Sequence, residues 1–449
     1  MRHLLPKLND SELFDATDGG LVGYCHLLTA FALQLRAMAD EILGEAERLL
    51  TRIRLLRAFT PAAPITEREL FSGRSRQIDQ TMGAVAQVGQ HVVLFGERGV
   101  GKTSLASVIY DVWSHLQRED AGVFAPRVNC DSDDTFGTLW EKVAEEIELA
   151  FEKEGLTPGP PAFREALTEL RNRTATPNSI RRCFELSRRS LVVIVDEFDR
   201  IEDEAVPRLM ADTIKTLSDY LVDATLILVG VADTVDELVY EHGSIDRALV
   251  QVLMPRMSIA ELQDIVRTRL DRVSMTIDSE VLHRLAHVSQ GLPHYTHLLG
   301  LHSGVAAIDA GRMHVRIDEL NVALHLALEQ AQESIRDAYQ RATDSPQGAN
   351  LYRQVLLACA VAEVDEVGYF PPSGVREPFS QIMGRRYDIP NFIRHLHSLC
   401  EEDRGRILER EGTPRRHRFR FANPLIKPYV LLRGLRDGLV QEKMIFPED

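Results

Sequence analysis

The stretch His91 to Ser104, HVVLFGERGVGKTS, constrains what this 449-residue chain can fold into more than any other. His91 to Phe95 reads as a buried strand, Gly96 to Gly101 as a tight turn, and Lys102, Thr103 and Ser104 as the start of a helix. The spacing is G-x-x-x-x-G-K-[ST]. Its glycines let the backbone of Gly96, Glu97, Arg98, Gly99, Val100 and Gly101 curl so that successive N–H groups converge on a phosphate chain. The helix N-terminus adds its positive dipole end. Lys102 would reach the terminal phosphates, and the Thr103 hydroxyl suits Mg²⁺. A strand–turn–helix connection that merely uses glycine explains Gly96, Gly99 and Gly101, but not Lys102 and Thr103 in register. The expected ligand is therefore a nucleoside triphosphate with its metal, ATP and Mg²⁺.

A second stretch, LVVIVDEFDR, covers Leu191 to Arg200. Five consecutive aliphatic residues, Leu191 to Val195, predict a strand buried on both faces, as in a parallel sheet. Asp196 and Glu197 then fall at its carboxyl end, where such sheets bind ligands. Asp196 is suited to order Mg²⁺ through water, and Glu197 to polarise an attacking water. Thr225 to Val231 reads as a further aliphatic strand, after which Asp233 either senses the γ-phosphate or caps a helix starting near Val235.

The rest of the chain reads as helical additions to this α/β unit. Leu28, Leu35, Ile42, Leu49 and Leu56 recur every seven residues, with Ala32, Ala39, Ala46 and Ile53 four residues after each of the first four. That seam predicts a long N-terminal helix that pairs either with a partner or with its own core. Thr60 to Thr66 is a linker by composition. Strands are expected at Val123 to Val128 and Leu249 to Met254, and helices at Ser75 to Val88 and Phe136 to Glu154. An all-helical lid follows, with helices at Ile259 to Val273, Ser279 to Val288, Pro293 to Ala310 and Ile317 to about Ala342. From residue 348 onward, helices at Leu351 to Val364, Phe379 to Met383 and Pro390 to Cys400 precede two short strands, Ile407 to Arg410 and Arg418 to Phe421. Pro371 to Val375 reads as a turn. Three helices and a two-stranded wing make a winged helix–turn–helix. The expected domains are 1–60, an N-terminal helical extension; 61–256, the nucleotide-binding α/β domain; 257–347, the lid; and 348–449, the winged helix.

Net charge bounds the partners. A formal charge of −15 excludes coating of nucleic acid by bulk electrostatics, yet it permits one local basic patch. Arg404, Arg406, Arg410, Arg415, Arg416, Arg418 and Arg420 form such a patch around the wing, 404–420. These arginines would contact the phosphates of double-stranded DNA, or answer an acidic face of the same protein. The five cysteines are scattered and form no metal-binding pattern, and the first residues lack a secretion signal or a spanning segment. Those features read as a cytoplasmic protein with no membrane partner.

The order Phe71-Ser-Gly-Arg74, GERGVGKTS, Val128-Asn129-Cys130, Val195 to Arg200 and Ser244-Ile-Asp-Arg247 resembles the Orc1/Cdc6-type AAA+ ATPases over roughly residues 65–440. The resemblance implies a P-loop NTPase (AAA+) parallel-sheet domain that hydrolyses ATP to ADP and phosphate. It brings Arg74 among the nucleotide-contacting residues, makes Asn129 the switch for Glu197, and puts a sensor at Asp233, where the family usually carries asparagine. It implies an arginine finger at Arg247, with Arg256 as a second candidate, and hence a homo-oligomer with ATP sites between subunits. One departure is Gly291-Leu-Pro-His294, which is similar to the Gly-x-Pro of STAND-class signalling ATPases. That likeness implies a contact from His294 to the β-phosphate and a switch-like ATP/ADP cycle. Two functions follow: a DNA-associated regulator or loader, or a signalling or defence switch acting on a separately encoded protein partner.

Overall fold

The computed structural model describes residues 44–61, 73–116, 125–153, 160–172, 175–239, 245–344, 351–413 and 416–446. Most of the predicted N-terminal seam, with Leu28, Leu35 and Ile42, lies outside the described residues, as do Phe71, Ser72, Ser244 and Arg415. By packing, the chain divides into 1–54 and 55–449. Within the first unit, residues 44–54 are helical, and this helix, α1, runs on to residue 58.

The second unit is built on a five-stranded parallel sheet of β1 (His91–Phe95), β2 (Arg127–Asn129), β3 (Leu191–Asp196), β4 (Ala224–Val229) and β5 (Leu249–Leu253). Their order is β2-β3-β4-β1-β5, so β4 lies between the strand of the phosphate loop and the strand of the acidic pair. Strands β1, β3 and β4 are buried along their whole length, as their unbroken aliphatic runs require. Helices α2 (Ser75–Val85) and α3 (Lys102–Leu116) line one face. Helices α4 (Phe136–Lys153), α5 (Pro161–Arg171), α6 (Pro177–Ser187) and α7 (Ala205–Asp219) pack with the other, around Trp140, Phe184 and Met210. Of the strand expected at Val123 to Val128, residues 123 and 124 lie outside the described residues, and β2 begins at Arg127. Pro126 has no N–H to give a ladder, although its carbonyl still accepts from Ile194 at 2.9 Å.

Beyond the sheet come α8 (Ile259–Asp271), α9 (Ser279–Val288), α10 (Pro293–Asp309), α11 (Ile317–Glu329) and α12 (Glu333–Thr343). Two expectations need correction here. The lid is not all helical, because Thr276–Ile277 (β6) and His314–Val315 (β7) pair in parallel. The helix expected from Ile317 to Ala342 is broken at Gln332, whose backbone is extended at φ −52°, ψ 141°. No glycine or proline marks that break; α12 turns away to pack on the C-terminal helices.

The C-terminal region holds α13 (Tyr352–Val361), α14 (Pro372–Ile382), α15 (Ile393–Ser398), the antiparallel pair β8 (Leu408–Glu411) and β9 (Arg418–Phe421), then α16 (Ile426–Arg436) and α17 (Glu442–Ile445). The predicted turn at Pro371 to Val375 is instead the first turn of α14. Pro372 stands at a helix N-terminus, where its missing N–H costs nothing. The boundary expected at 347/348 falls outside the described residues. Buried side chains on either side of it, from Leu299 and Tyr339 to Phe370 and Tyr429, form one continuous core that also takes in Leu55, Ala58 and Phe59.

Candidate active site

The carboxyl ends of β1, β3 and β4 open into a cleft of about 720 Å³, lined by the phosphate loop, the acidic pair, the start of α10 and the segment Thr60–Pro61. Gly96 is required where β1 leaves the sheet. It has φ 137°, and a Cβ there would meet the Met254 carbonyl at 2.5 Å. The loop then closes on Lys102, whose Nζ donates to the carbonyls of Gly96 and Glu97 at 2.8 Å each. Burial lowers the Lys102 pKa to about 8, against the pull of Asp199, Asp196 and Glu97. Arg98, Gly99, Gly101, Lys102, Thr103 and Ser104 all line the cleft, while Val100 is buried beneath it.

Thr103 and Asp196, far apart in sequence, meet here: the Thr103 hydroxyl donates to Asp196 Oδ1 at 3.1 Å. Asp196 is almost wholly buried. Its other oxygen accepts from Arg127 at 2.8 Å, and Arg127 also donates to Ser107 Oγ at 2.7 Å. With its proton turned toward the carboxylate, the threonine oxygen keeps its lone pairs for a cation. No cluster of three or more His, Cys, Asp or Glu side chains able to hold a metal is found among the described residues. One hydroxyl and one carboxylate fit Mg²⁺, which takes few protein ligands and completes its shell from phosphate oxygens and water. Glu197 also lines the cleft, with φ 57°, and its carboxylate accepts from Arg200 at 2.8 Å. Asp199 ties this turn to the end of β4 by accepting the Val231 N–H at 2.7 Å.

Other predicted positions fall elsewhere. Arg74 is buried under the loop, where its guanidinium donates to the carbonyls of Val100 and Pro255. Glu97 turns away from the cleft and pairs through both oxygens with Arg256, at 2.6 and 3.1 Å. Arg256 also donates to the Gln290 carbonyl between α9 and α10, so it braces the phosphate loop of its own chain. Asn129 is exposed at the end of β2, and Glu197 bonds Arg200 rather than Asn129. The side chain of Arg247 is 80% exposed and pairs with Asp219. Its carbonyl accepts from Gln90, at the opposite end of β1 from the phosphate loop.

Asp233 neither caps a helix with its side chain nor faces an empty cleft. It is held by Arg420 of β9 and by the Tyr369 hydroxyl, the latter at 3.2 Å. Arg420 also pairs with Glu409 at 2.8 Å, and Arg418 with Asp365 and Glu411 at 2.7 and 3.0 Å. Arg410 contacts His397, Arg406 pairs with Glu402, and Arg404 donates to the Asp344 carbonyl, so much of the basic patch is answered within the chain. Arg416 is exposed. Leu425, just before α16, lines the cleft over Gly99, and its carbonyl accepts from Tyr295 at 2.8 Å.

His294 is in the cleft, with Nδ1 bonded to the Pro61 carbonyl at 2.7 Å. Beside it, His297 Nδ1 accepts the Thr60 N–H at 3.1 Å, and burial lowers its pKa to about 3. The sequence reading missed Thr60, Pro61, Arg127, Asp199, Arg200, His297 and Leu425. Asp199 and Arg200 were legible within DEFDR, but the others come to the cleft only through folding.

The phosphate loop, the paired Thr103 and Asp196, and the β4 strand between them are the machinery of a P-loop nucleoside triphosphatase. Among curated protein sequences none matches the chain. Solved structures similar to it include the Walker-type ATPase of Pyrococcus abyssi, at 16% identity, 82% of this chain, 98% of that chain and TM-score 0.48. They also include the Aeropyrum pernix ORC1 protein in complex with DNA, at 16% identity, 85% and 95% coverage and TM-score 0.44. The Aeropyrum pernix ORC2 protein follows at 15% identity, 87% and 97% coverage and TM-score 0.46. A model of the family "Novel STAND NTPase 1" matches residues 55–307, more than half the chain and the whole of the cleft except Leu425. The chain therefore belongs to the novel STAND NTPase 1 family, and is a P-loop ATPase.

Proposed function

We propose that this ATPase is a regulatory switch, in which the nucleotide state decides whether the C-terminal region stays docked on the cleft and whether subunits assemble. The observation that carries this reading is the convergence of Arg420 and Tyr369 on Asp233, with Leu425 over the phosphate loop. We read α13 to α15 with β8 and β9 as a winged helix whose wing faces the chain's own carboxylates. Lys102 and Mg²⁺, held at Thr103 and through water at Asp196, would neutralise the phosphates. Glu197 would orient the water. His294 would reach the β-phosphate after releasing Pro61, and the exposed Arg247 would serve the cleft of a neighbouring copy. A separately encoded protein partner would read the undocked state in the cytoplasm.

The test is mass photometry with parallel ATPase assays on wild type and Arg420→Ala, with ATP, ADP or no nucleotide, each with and without duplex DNA. ATP is expected to drive larger assemblies, at lower ATP for Arg420→Ala than for wild type, with DNA changing neither assembly nor turnover. Assembly indifferent to ATP in both proteins would sink the switch. Assembly or turnover that requires DNA would replace it with the DNA-associated loader.

A further inference from the structure

Glu197 and Arg200 are three residues apart: Glu197 precedes one short 3₁₀ turn, Phe198–Arg200, and Arg200 ends it. The left-handed backbone of Glu197 brings its carboxylate back over that turn, where Arg200 donates to Oε2 at 2.8 Å. Arg200 has a second carboxylate within reach. Asp131 Oδ1, in the loop after β2, is 3.8 Å from the same nitrogen. Asp131 is in turn fixed by Lys142 of α4 at 2.9 Å, and Lys142 also holds Asp134 at 2.7 Å. One guanidinium thus stands between two acids, of which one faces the cleft and the other is anchored to the loop behind it.

We infer that Arg200 is a positioning residue that restrains Glu197, and that Asp131 is the acceptor to which Arg200 moves when Glu197 is released to the water. A carboxylate that accepts from a guanidinium has its orientation set by that partner rather than by the water. Moving Arg200 by the short distance to Asp131 exchanges one ion pair for another. The exchange therefore costs little, which is what a switch needs. All four side chains are at least partly exposed, so the pairs are screened and each controls rates modestly. This rests on the reading of Glu197 as the water-orienting group.

The two partners give the proposal opposite signs. Arg200→Ala is expected to raise single-turnover hydrolysis by about two- to fivefold. Asp131→Asn, which leaves Arg200 with Glu197 alone, is expected to lower it by about twofold. Saturating ATP makes the single-turnover rate of Arg200→Ala independent of affinity, and binding of a fluorescent ATP analogue to Asp131→Asn, a change outside the cleft, should stay within about twofold of wild type. In the double variant the Asp131 effect should vanish, since Asp131 acts through Arg200. A fall in turnover for Arg200→Ala, or an Asp131→Asn effect that persists without Arg200, overturns the restraint. Glu197→Gln separates the two levels. Turnover surviving in Glu197→Gln removes the role of Glu197 and the restraint with it. Turnover lost there while Arg200→Ala leaves the rate unchanged overturns the restraint alone.

Discussion

His91 begins β1 with no exposed surface; its Nδ1 accepts the Leu226 N–H at 3.0 Å and its Nε2 has no hydrogen-bond partner among the described residues. Burial lowers its pKa from 6.5 to about 3, and His297 is lowered to the same value. Both are held neutral in the fold and take up a proton on unfolding. Their stabilisation is therefore complete above pH 6.5 and is lost as pH falls toward 3, by roughly 1.4 kcal/mol per pH unit for each. Urea melts between pH 7 and pH 5 should show this slope. Asparagine keeps an acceptor at the same place, so His91→Asn should lower the intercept but flatten the slope by about one proton. At this scale the sequence was legible wherever covalent spacing fixes geometry. Lys102 and Thr103 stand in register with Gly96, and Asp196 and Glu197 end an aliphatic run. Arg127 was not legible, because a lone arginine before Val-Asn carries no sign of the carboxylate it meets 69 residues later.

Elements divide in the same way. Strands β1, β3 and β4 were readable because a strand covered on both faces is apolar throughout, and α9 because its apolar spacing is regular. The break between α11 and α12 was not readable, since it follows from what α12 packs against. Helix α10 illustrates a further case: Gly300 and Gly304 make its surface low enough for Phe59 and Leu55, whose atoms would lie 2.5 and 2.7 Å from an added Cβ. This groove seats the segment leading to Thr60 and Pro61, which line the nucleotide cleft. Gly304→Val should therefore cost about 1–3 kcal/mol of packing there. Fluorescence titration should show ATP affinity reduced by roughly five- to tenfold, the share of that cost felt in the cleft. Unchanged affinity would mean that the Thr60–Pro61 wall does not contribute to binding.

For the molecule as a whole, the decisive contacts join regions more than a hundred residues apart. Asp233 with Arg420 and Tyr369, Glu97 with Arg256 beneath Gly368, and Leu425 over Gly99 tie the phosphate loop and its neighbouring strand to the C-terminal region. Lys427, fully buried near the Glu97–Arg256 pair, has its pKa lowered to about 7 by that burial. Because Asp233 and Arg420 are one pair, Asp233→Asn and Arg420→Ala should raise turnover in the same direction. The double variant should exceed neither single change, as a double-mutant cycle would measure. Additive effects would mean that the two residues act separately. The sequence by itself determined the phosphate loop, the acidic pair and the parallel sheet between them, because strand hydrophobicity and residue spacing act locally. Only the tertiary structure decided that Arg418 and Arg420 of β9 meet carboxylates of their own chain, and that Asp233 is engaged by residues more than a hundred positions away in sequence. Ion pairs depend on distance in space, and no local pattern of charge records which distant carboxylate folding will bring within reach.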